Sequence, residues 1–304
     1  MNRVSERALV SLPGDVAMIP VIEELTGTLR FAGIPDPHRM AGDIIAALLD
    51  VPRSWPKLNR ERTLRAETIR SAQKAAAMLA TGAPFAYAVG SAQFRHLSLG
   101  VDARVLIPRP ETEVLVGVIL DRMRARHGGS ENWGVAIDIG TGSGAIALSL
   151  ASEGCFERVV ATDISVDALE MALINARRTA AAMRSPVEFR CGSLISPVEG
   201  VTATLLVSNP PYISYSEIEA LPPTVRDWEP PLALLSAGNG MAATAAIVHD
   251  GARVIDIGGL LALEVDERRA SLVAELVMSS GCYADVVVAL DLTGRERFVF
   301  ASRV

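Results

Sequence analysis

The chain has 304 residues, of which 50% are hydrophobic, 21% charged and only 5% aromatic. This composition excludes a largely disordered chain, and the length suggests about two domains. Basic residues number 29 against 35 acidic, a net of −6, which disfavours a protein whose main task is gripping a phosphate backbone.

Apart from Lys57 and Lys74, every basic residue is arginine. Cys155, Cys191 and Cys282 are odd in number and far apart, so neither a disulfide framework nor a zinc site is indicated, and no metal is expected. Arg3, Glu6, Arg7 and Asp15 leave no signal-peptide core. No run approaches the roughly 20 apolar residues that span a bilayer. A soluble, monomeric, cytoplasmic protein with no membrane partner is expected.

Residues 1–20 are weakly patterned and read as a loose extension. Val21 to Phe31 reads as a helix ended by Gly33 and Pro35. Asp36-Pro37 opens a second, with Met40, Ile44, Ile45, Leu48 and Leu49 at helical spacing. A third is predicted from Glu61 to Leu79, stopped by Gly82-Ala83-Pro84. Nothing there alternates like a strand, so residues 1–90 are expected to form a small all-helical domain. Arg53, Lys57, Arg60, Arg62, Arg65, Arg70 and Lys74 cluster in it against only Glu61 and Glu67. They read as a solvated face or as a docking face for an acidic partner. Residues 1–90 hold 11 basic and 9 acidic groups and residues 91–304 hold 18 and 26, so the acidity lies in the larger part.

Residues 91–110 suggest a β-hairpin linking two domains, with Phe94, Leu97, Leu99, Val101, Val105 and Ile107 around Gly100. Pro110 suits the first turn of a following helix, and Glu111 and Glu113 suit the positive end of its dipole. From Trp133 strands and helices alternate. Strands are predicted at 135–139, 159–162, 187–190, 203–208, 260–265, 284–290 and 297–302. The intervening helices are predicted at 144–151, 166–183, 241–255 and 268–280, with a long loop from 209 to 240. The fold class is α/β over 111–304: a doubly wound, mostly parallel sheet with a terminal antiparallel hairpin.

Asp138-Ile139-Gly140-Thr141-Gly142-Ser143-Gly144 follows the first of these strands and opens a helix. Glycines there allow a tight turn and close approach of a ligand to the backbone, and the helix start offers free N–H groups. Asp163 ends the next strand, 19 residues after Gly144, where a carboxylate can accept both hydroxyls of a ribose. The loop alone fits S-adenosylmethionine, a dinucleotide, or a structural turn. Asp138 favours the first, because a carboxylate would repel a pyrophosphate and could pair with an ammonium.

Ser208-Asn209-Pro210-Pro211-Tyr212 follows the fourth strand, so it is expected beside the glycine loop. Two prolines fix the backbone and leave carbonyls without competing N–H groups. The Asn209 side-chain carbonyl and a neighbouring main-chain carbonyl could accept both hydrogens of a planar NH2 group, with the Tyr212 ring stacked against it. An amide nitrogen is a weak nucleophile. Two acceptors would hold it in line with an electrophilic methyl and favour the charge that develops on it.

The Asn-Pro-Pro-Tyr run and the glycine loop resemble the amino-group methyltransferases that use S-adenosylmethionine. Within them, Leu106-Ile107-Pro108-Arg109-Pro110-Glu111-Thr112-Glu113 resembles the linker signature of the HemK-type release-factor glutamine methyltransferases. Gly82-x-Pro84-x-x-Tyr87-x-x-Gly90, Glu229-Pro230-x-x-Ala233-Leu234, Gly259-x-Leu261-x-x-Glu264 and Asp291-Leu292-x-Gly294-x-x-Arg297 also match, in order. The resemblance implies that Asp138, Gly140, Thr141, Gly142, Ser143 and Gly144 cradle the methionine part of the cofactor and Asp163 its ribose. It implies that Asn209, Pro210, Pro211 and Tyr212 hold the glutamine of the Gly-Gly-Gln tip of a class-1 peptide chain release factor, with Asn209 also contacting the cofactor. S-adenosylhomocysteine is the implied product, and the helical domain is implied to help dock the factor. The chain departs from the family pattern at Ser193, which stands where an acidic residue is usual. Ser193 could make one hydrogen bond, and Leu194 could cover the adenine. The alternatives are an adenine methyltransferase of DNA or RNA and a glutamine methyltransferase of a ribosomal protein. Against a dehydrogenase, His38, His96, His127 and His249 are scattered.

Overall fold

The computed structural model describes residues 15–304, so most of the expected extension at 1–20 lies outside the described residues. The chain divides after Gly90 into two compact units.

In the first unit, helices Met18–Phe31, Pro37–Leu49 and Ala66–Ala80 enclose a core of Met18, Leu25, Leu29, Ile44 and Ile45. The third helix supplies the small stripe Ala72, Ala75, Ala76 and Leu79, at the spacing that keeps one face inward. Two expectations are corrected. Val16–Ala17 pairs antiparallel with Thr63–Leu64, so this unit does contain strands, and the third helix starts only at Ala66. Two residues per strand are too few to show alternation, which is why periodicity misses them.

In the second unit, the strands of the main sheet are β1 (Val135–Ile139), β2 (Arg158–Asp163), β3 (Val187–Cys191), β4 (Ala203–Ser208), β5 (Ile255–Glu264), β6 (Tyr283–Leu290) and β7 (Glu296–Arg303). Its spatial order is β6-β7-β5-β4-β1-β2-β3, parallel except for β7, which is antiparallel to both neighbours. The switch point, where the order reverses, falls between β1 and β4. The main helices are α1 (Pro110–His127), α2 (Ala145–Glu153), α3 (Val166–Arg178), α4 (Ala242–Gly251) and α5 (Ala270–Ser279). Helices α1 and α2 cover one sheet face over Ala136, Ala161, Leu205 and Phe300. Helices α4 and α5 cover the other over Ile137, Val160, Leu206 and Leu261. Pro110 starts α1 with Glu111 and Glu113 in its first turn, and Gly128 ends it at φ +56°.

The hairpin Ser91–Phe94 with Leu97–Gly100 belongs to this unit, with Phe94, Leu97 and Leu99 in its core. Strand β5 begins at Ile255, inside the predicted helix 241–255. Its pairing with β4 slips between Ala203 and Leu205, and Gly258 sits at φ +80° in the irregularity. The predicted helix 166–183 ends at Arg178 and gives way to a 3-10 turn, Ala180–Ala182. The 209–240 loop contains a 3-10 turn, Tyr215–Ala220, and three one-turn helices, Pro223–Arg226, Pro231–Leu234 and Ala237–Gly240.

Candidate active site

Sheet register decides which loops meet. Ile139 pairs with Thr162 on β2 and Ser208 on β4, and Ser208 pairs with Leu263 on β5. The next residues, Gly140, Asp163, Asn209 and Glu264, therefore stand side by side at the carboxyl edge of the sheet, where open α/β sheets bind ligands.

Gly140 and Gly142 have φ of +73° and +55°, and among the described residues a Cβ on either would meet nothing within 4 Å. The loop is held from beneath: the Gly140 and Thr141 N–H groups both donate to the Thr162 carbonyl at 2.8 Å. Asp163 accepts the Gly142 N–H on Oδ2 and the Ser165 N–H on Oδ1, each at 2.9 Å. Burial raises its carboxyl above the usual range despite these bonds.

Asp138 lies under the loop, not on its ligand face. It is fully buried, and its Oδ2 accepts from the Thr141 hydroxyl at 2.7 Å and the Ala147 N–H at 3.2 Å. Burial pushes its carboxyl up to about 7, and its Oδ1 has no hydrogen-bond partner among the described residues. Its work there is to brace the turn. Asn175 on α3 is a second brace that sequence reasoning missed. Its Nδ2 donates to the Ser143 and Gly100 carbonyls at 2.9 Å, and its Oδ1 accepts the Gly100 N–H at 2.6 Å. The available signal was a polar residue on the apolar face of a predicted helix.

A cavity of about 530 Å³ follows the carboxyl edge, lined in part by Gly140, Gly142, Asp163, Ser193, Leu194 and Asn209. That volume suits a drug-sized or nucleoside-sized ligand. Thr141, Ser143 and Gly144 are outside this lining and shape the turn instead. A second cavity of about 200 Å³ is lined by Arg109 and Tyr212 among others, and shares Leu106, Asn209, Pro210 and Ala233 with the first. Asn209 and Pro210 thus border both spaces, while Pro211 lines the larger one. Burial pushes the Tyr212 hydroxyl up to about 12, so it stays neutral and presents a ring and an O–H.

Two of the matched motifs meet at the wall of these cavities. Arg109 Nη2 donates to Glu229 Oε1 at 2.5 Å, and Glu229 Oε2 accepts the Ile107 N–H at 3.3 Å. The same linker motif also meets the Gly259–Glu264 motif behind Asn209. Its Nδ2 donates to Thr112 Oγ1 at 3.2 Å, and that hydroxyl donates to Glu264 Oε2 at 2.7 Å. Glu264 is 1% exposed, and burial pushes its carboxyl up to about 7. The chain after Tyr212 folds back on itself: Ser236 N–H donates to the Ile213 carbonyl at 2.9 Å, and Arg269 Nε donates to the Asn239 carbonyl at 2.7 Å.

The donor set fits an adenosine sulfonium cofactor. The open glycine turn leaves room for a close approach, and the Asp163 carboxylate borders the same cavity. Among the described residues no cluster of His, Cys, Asp and Glu could hold a metal ion, and no helix is long and apolar enough to cross a membrane.

A cavity of about 580 Å³ lies within the first unit, lined by Arg39, Arg53, Lys57 and Arg60 together with Glu23 and Asp43. Among the described residues no ion pair involves Arg53, Lys57, Arg60, Arg62, Arg65, Arg70 or Lys74, and all seven are exposed. That cavity carries charge but none of the residues of the glycine turn or of the Asn209–Tyr212 run.

Residues 21–90 match the PrmC N-terminal domain family and residues 117–221 the methyltransferase small domain family. The chain is 40% identical to a release factor glutamine methyltransferase of Moorella thermoacetica, over 74% of this chain and 76% of that one. It is 33% identical to the release factor glutamine methyltransferase of Deinococcus radiodurans, over 93% of this chain and 97% of that one. The hMettl16 catalytic domain, solved in complex with a hairpin, aligns with TM-score 0.51 at 14% identity, over 81% of this chain and 85% of that one. At that identity the likeness speaks for the fold alone.

Proposed function

The chain belongs to the release factor glutamine methyltransferase family, and from that premise we propose that it methylates the side-chain amide nitrogen of a glutamine, the one in the Gly-Gly-Gln tip of class-1 peptide chain release factors. S-adenosylmethionine, when bound, supplies an electrophilic methyl group and leaves as S-adenosylhomocysteine. Gly140 and Gly142 give its methionine part a close backbone approach, with Asp138, Thr141, Ser143 and Gly144 holding that turn in shape. Asp163 takes its ribose. Ser193 and Leu194 face its adenine.

The Asn209 carbonyl oxygen and the Pro210 main-chain carbonyl accept the two N–H groups of the substrate amide, Pro211 keeps the turn rigid, and the Tyr212 ring stacks on the amide plane. Both acceptors favour the positive charge that develops on nitrogen as the N–C bond forms, which is electrostatic stabilisation by preorganised groups. The methylated nitrogen then sheds one proton to water and returns to a neutral amide. The observation that carries this reading is that Asn209 and Pro210 border both cavities, so one turn touches cofactor and substrate at once.

The helical unit docks the release factor through its exposed Arg53–Lys74 face. The protein works as a cytoplasmic monomer. The test is incubation with radiolabelled cofactor and, in parallel, release factor, ribosomal protein and nucleic acid, followed by mass mapping. Label on the Gly-Gly-Gln glutamine is expected. Label on an adenine or on a ribosomal protein instead would replace this substrate.

A further inference from the structure

We propose that Thr112 and Glu264 are positioning residues that fix which way the Asn209 amide points, turning its carbonyl oxygen, and not its NH2, toward the substrate nitrogen. The inference rests on the function proposed above, because only a substrate that brings two N–H groups needs that orientation.

An asparagine amide has nearly the same shape when rotated by half a turn about its last bond, but the rotation exchanges an acceptor for two donors. A reversed Asn209 would set donors against donors and remove one of the two acceptors. Nothing in its own shape prevents this. The restraint comes from its neighbours Thr112 and Glu264. A threonine hydroxyl has a single proton, and Thr112 places it on Glu264 Oε2 at 2.7 Å. Only lone pairs of Oγ1 then face Asn209, so the group that fits there is a donor, and Nδ2 occupies that place at 3.2 Å. An ionised Glu264 has no proton to return, which gives the chain of three its direction.

Thr112 is 4% and Glu264 1% exposed, so water does not compete for these bonds. The topology puts the three together. Thr112 lies in the first turn of α1, Glu264 ends β5, and Asn209 follows β4, whose last residue Ser208 pairs with Leu263. Three other groups bear on Glu264: Arg297 of β7 and a direct side-chain hydrogen bond from Asn209 favour its ionised form, and Glu111 of α1 opposes it, so Glu264 holds the Asn209 NH2 both directly and through Thr112.

The competing account is that the Thr112–Glu264 bond merely anchors α1 to the sheet. Thr112→Val keeps the shape and removes the hydroxyl. Thr112→Ser restores the hydroxyl on a smaller side chain. We expect Thr112→Val to lower kcat by about 10-fold or more, with KM for release factor and the calorimetric Kd for cofactor within about 3-fold, as for loss of a group acting mainly in the transition state. Thr112→Ser should regain most of the loss. In the free 15N-labelled enzyme, the Asn209 side-chain NH2 signals, identified by their loss in Asn209→Ala, should shift and exchange faster with solvent in Thr112→Val.

An anchor alone would lower the melting temperature and leave the Asn209 signals in place. Unchanged Asn209 signals, or a wild-type kcat in Thr112→Val, overturn the proposal. Should Thr112→Val fail to fold, Glu264→Gln carries the same measurements, since glutamine can accept or donate and no longer imposes the direction. The NH2 signals are read without substrate, so they decide this proposal by themselves. A wild-type enzyme that methylates no release factor would sink the function instead.

Discussion

Gly240→Ala probes whether the chain behind Tyr212 belongs to the catalytic machinery. Gly240 has φ +85°, and a Cβ there would stand 2.2 Å from the Tyr212 carbonyl oxygen and 3.0 Å from Arg269 Nε. Side-chain carbons do not pack closer than 3.0 Å, so the Tyr212 carbonyl must retreat by roughly 0.8 Å in a close-packed interior. The other side cannot give way easily. Arg269 holds the Asn239 carbonyl at 2.7 Å through Nε and Glu217 Oε2 at 2.7 Å through Nη2. A misplacement of about 1 Å at a reacting group costs about 10²-fold in rate, so kcat is expected to fall by about that factor. The left-handed conformation adds about 1–2 kcal/mol of destabilisation for any residue with a Cβ. Gly258→Ala supplies the control. Its φ is +80° and its Cβ would meet nothing within 4 Å among the described residues, so it should show only the left-handed share of the stability loss in denaturant unfolding and a wild-type kcat. Initial rates of methyl transfer and urea titrations decide the matter. A Gly240→Ala enzyme with undiminished kcat, or a Gly258→Ala enzyme equally impaired, refutes the reasoning.

Asn209→Ala should lower kcat by at least about 10²-fold, in line with removal of one preorganised polar group, while calorimetry finds cofactor affinity largely intact. Asp163→Ala should weaken cofactor binding by about 10- to 100-fold, the worth of hydrogen bonds to a charged group; an unchanged Kd would remove Asp163 from the cofactor site. Charge reversal at Arg53, Lys57 and Arg60 is expected to raise KM for release factor and leave kcat similar, and an unaltered KM would return that face to plain solvation. Two trends should oppose each other with pH. Burial holds the carboxyls of Asp138 and Glu264 up to about 7, so between their ordinary range and about pH 7 the folded state binds more protons than the unfolded one. The contribution of these groups to stability is therefore full in acid and is lost as pH rises through about 7. Turnover should rise over the same window as Glu264 ionises beneath Thr112 and Asn209, with Arg297 helping and Glu111 resisting. Glu264→Gln should flatten the rate profile, and Asp138→Asn should flatten the melting profile; parallel rate and stability curves in wild type would contradict both assignments.

The alternation of β-branched runs with helical stripes is legible in the sequence because each element of the second unit buries a face of its own. The turn glycines and the Asn209–Tyr212 run are legible for a different reason: their chemistry is local. Asp138 shows where this stops. In the sequence it is a carboxylate beside a glycine loop. In the structure it sits on a strand whose neighbours Ile137 and Ile139 face α4 and α5, so its own side chain faces α2. The alternation along β1 already contains that answer, because successive side chains point to opposite faces. The slip in β5 around Gly258 has no such signature. Neither does the meeting of Thr112, Asn209 and Glu264: motif matches mark all three segments as special, but only the strand order brings them into contact.

That strand order rests on the core. The four positions at the carboxyl edge come from four strands, and each is set by pairing one residue earlier, at Ile139, Thr162, Ser208 and Leu263. A one-residue slip would turn every side chain of a strand to the other face. The two faces are not interchangeable in volume. On β1 and β2, Ala136 and Ala161 face the α2 side while Ile137, Ile139 and Val160 face the opposite side, and all five are nearly or fully buried. A slip of β1 would force isoleucine into alanine-sized space, at about 1–3 kcal/mol for each overpacked site, and would leave voids where the isoleucines had been. It would also carry Asp138 into an apolar layer without its Thr141 and Ala147 partners. The loops that carry the chemistry therefore need little rigidity of their own at their starting points. Alternating small and large residues inside the sheet hold Gly140, Asp163, Asn209 and Glu264 in one row.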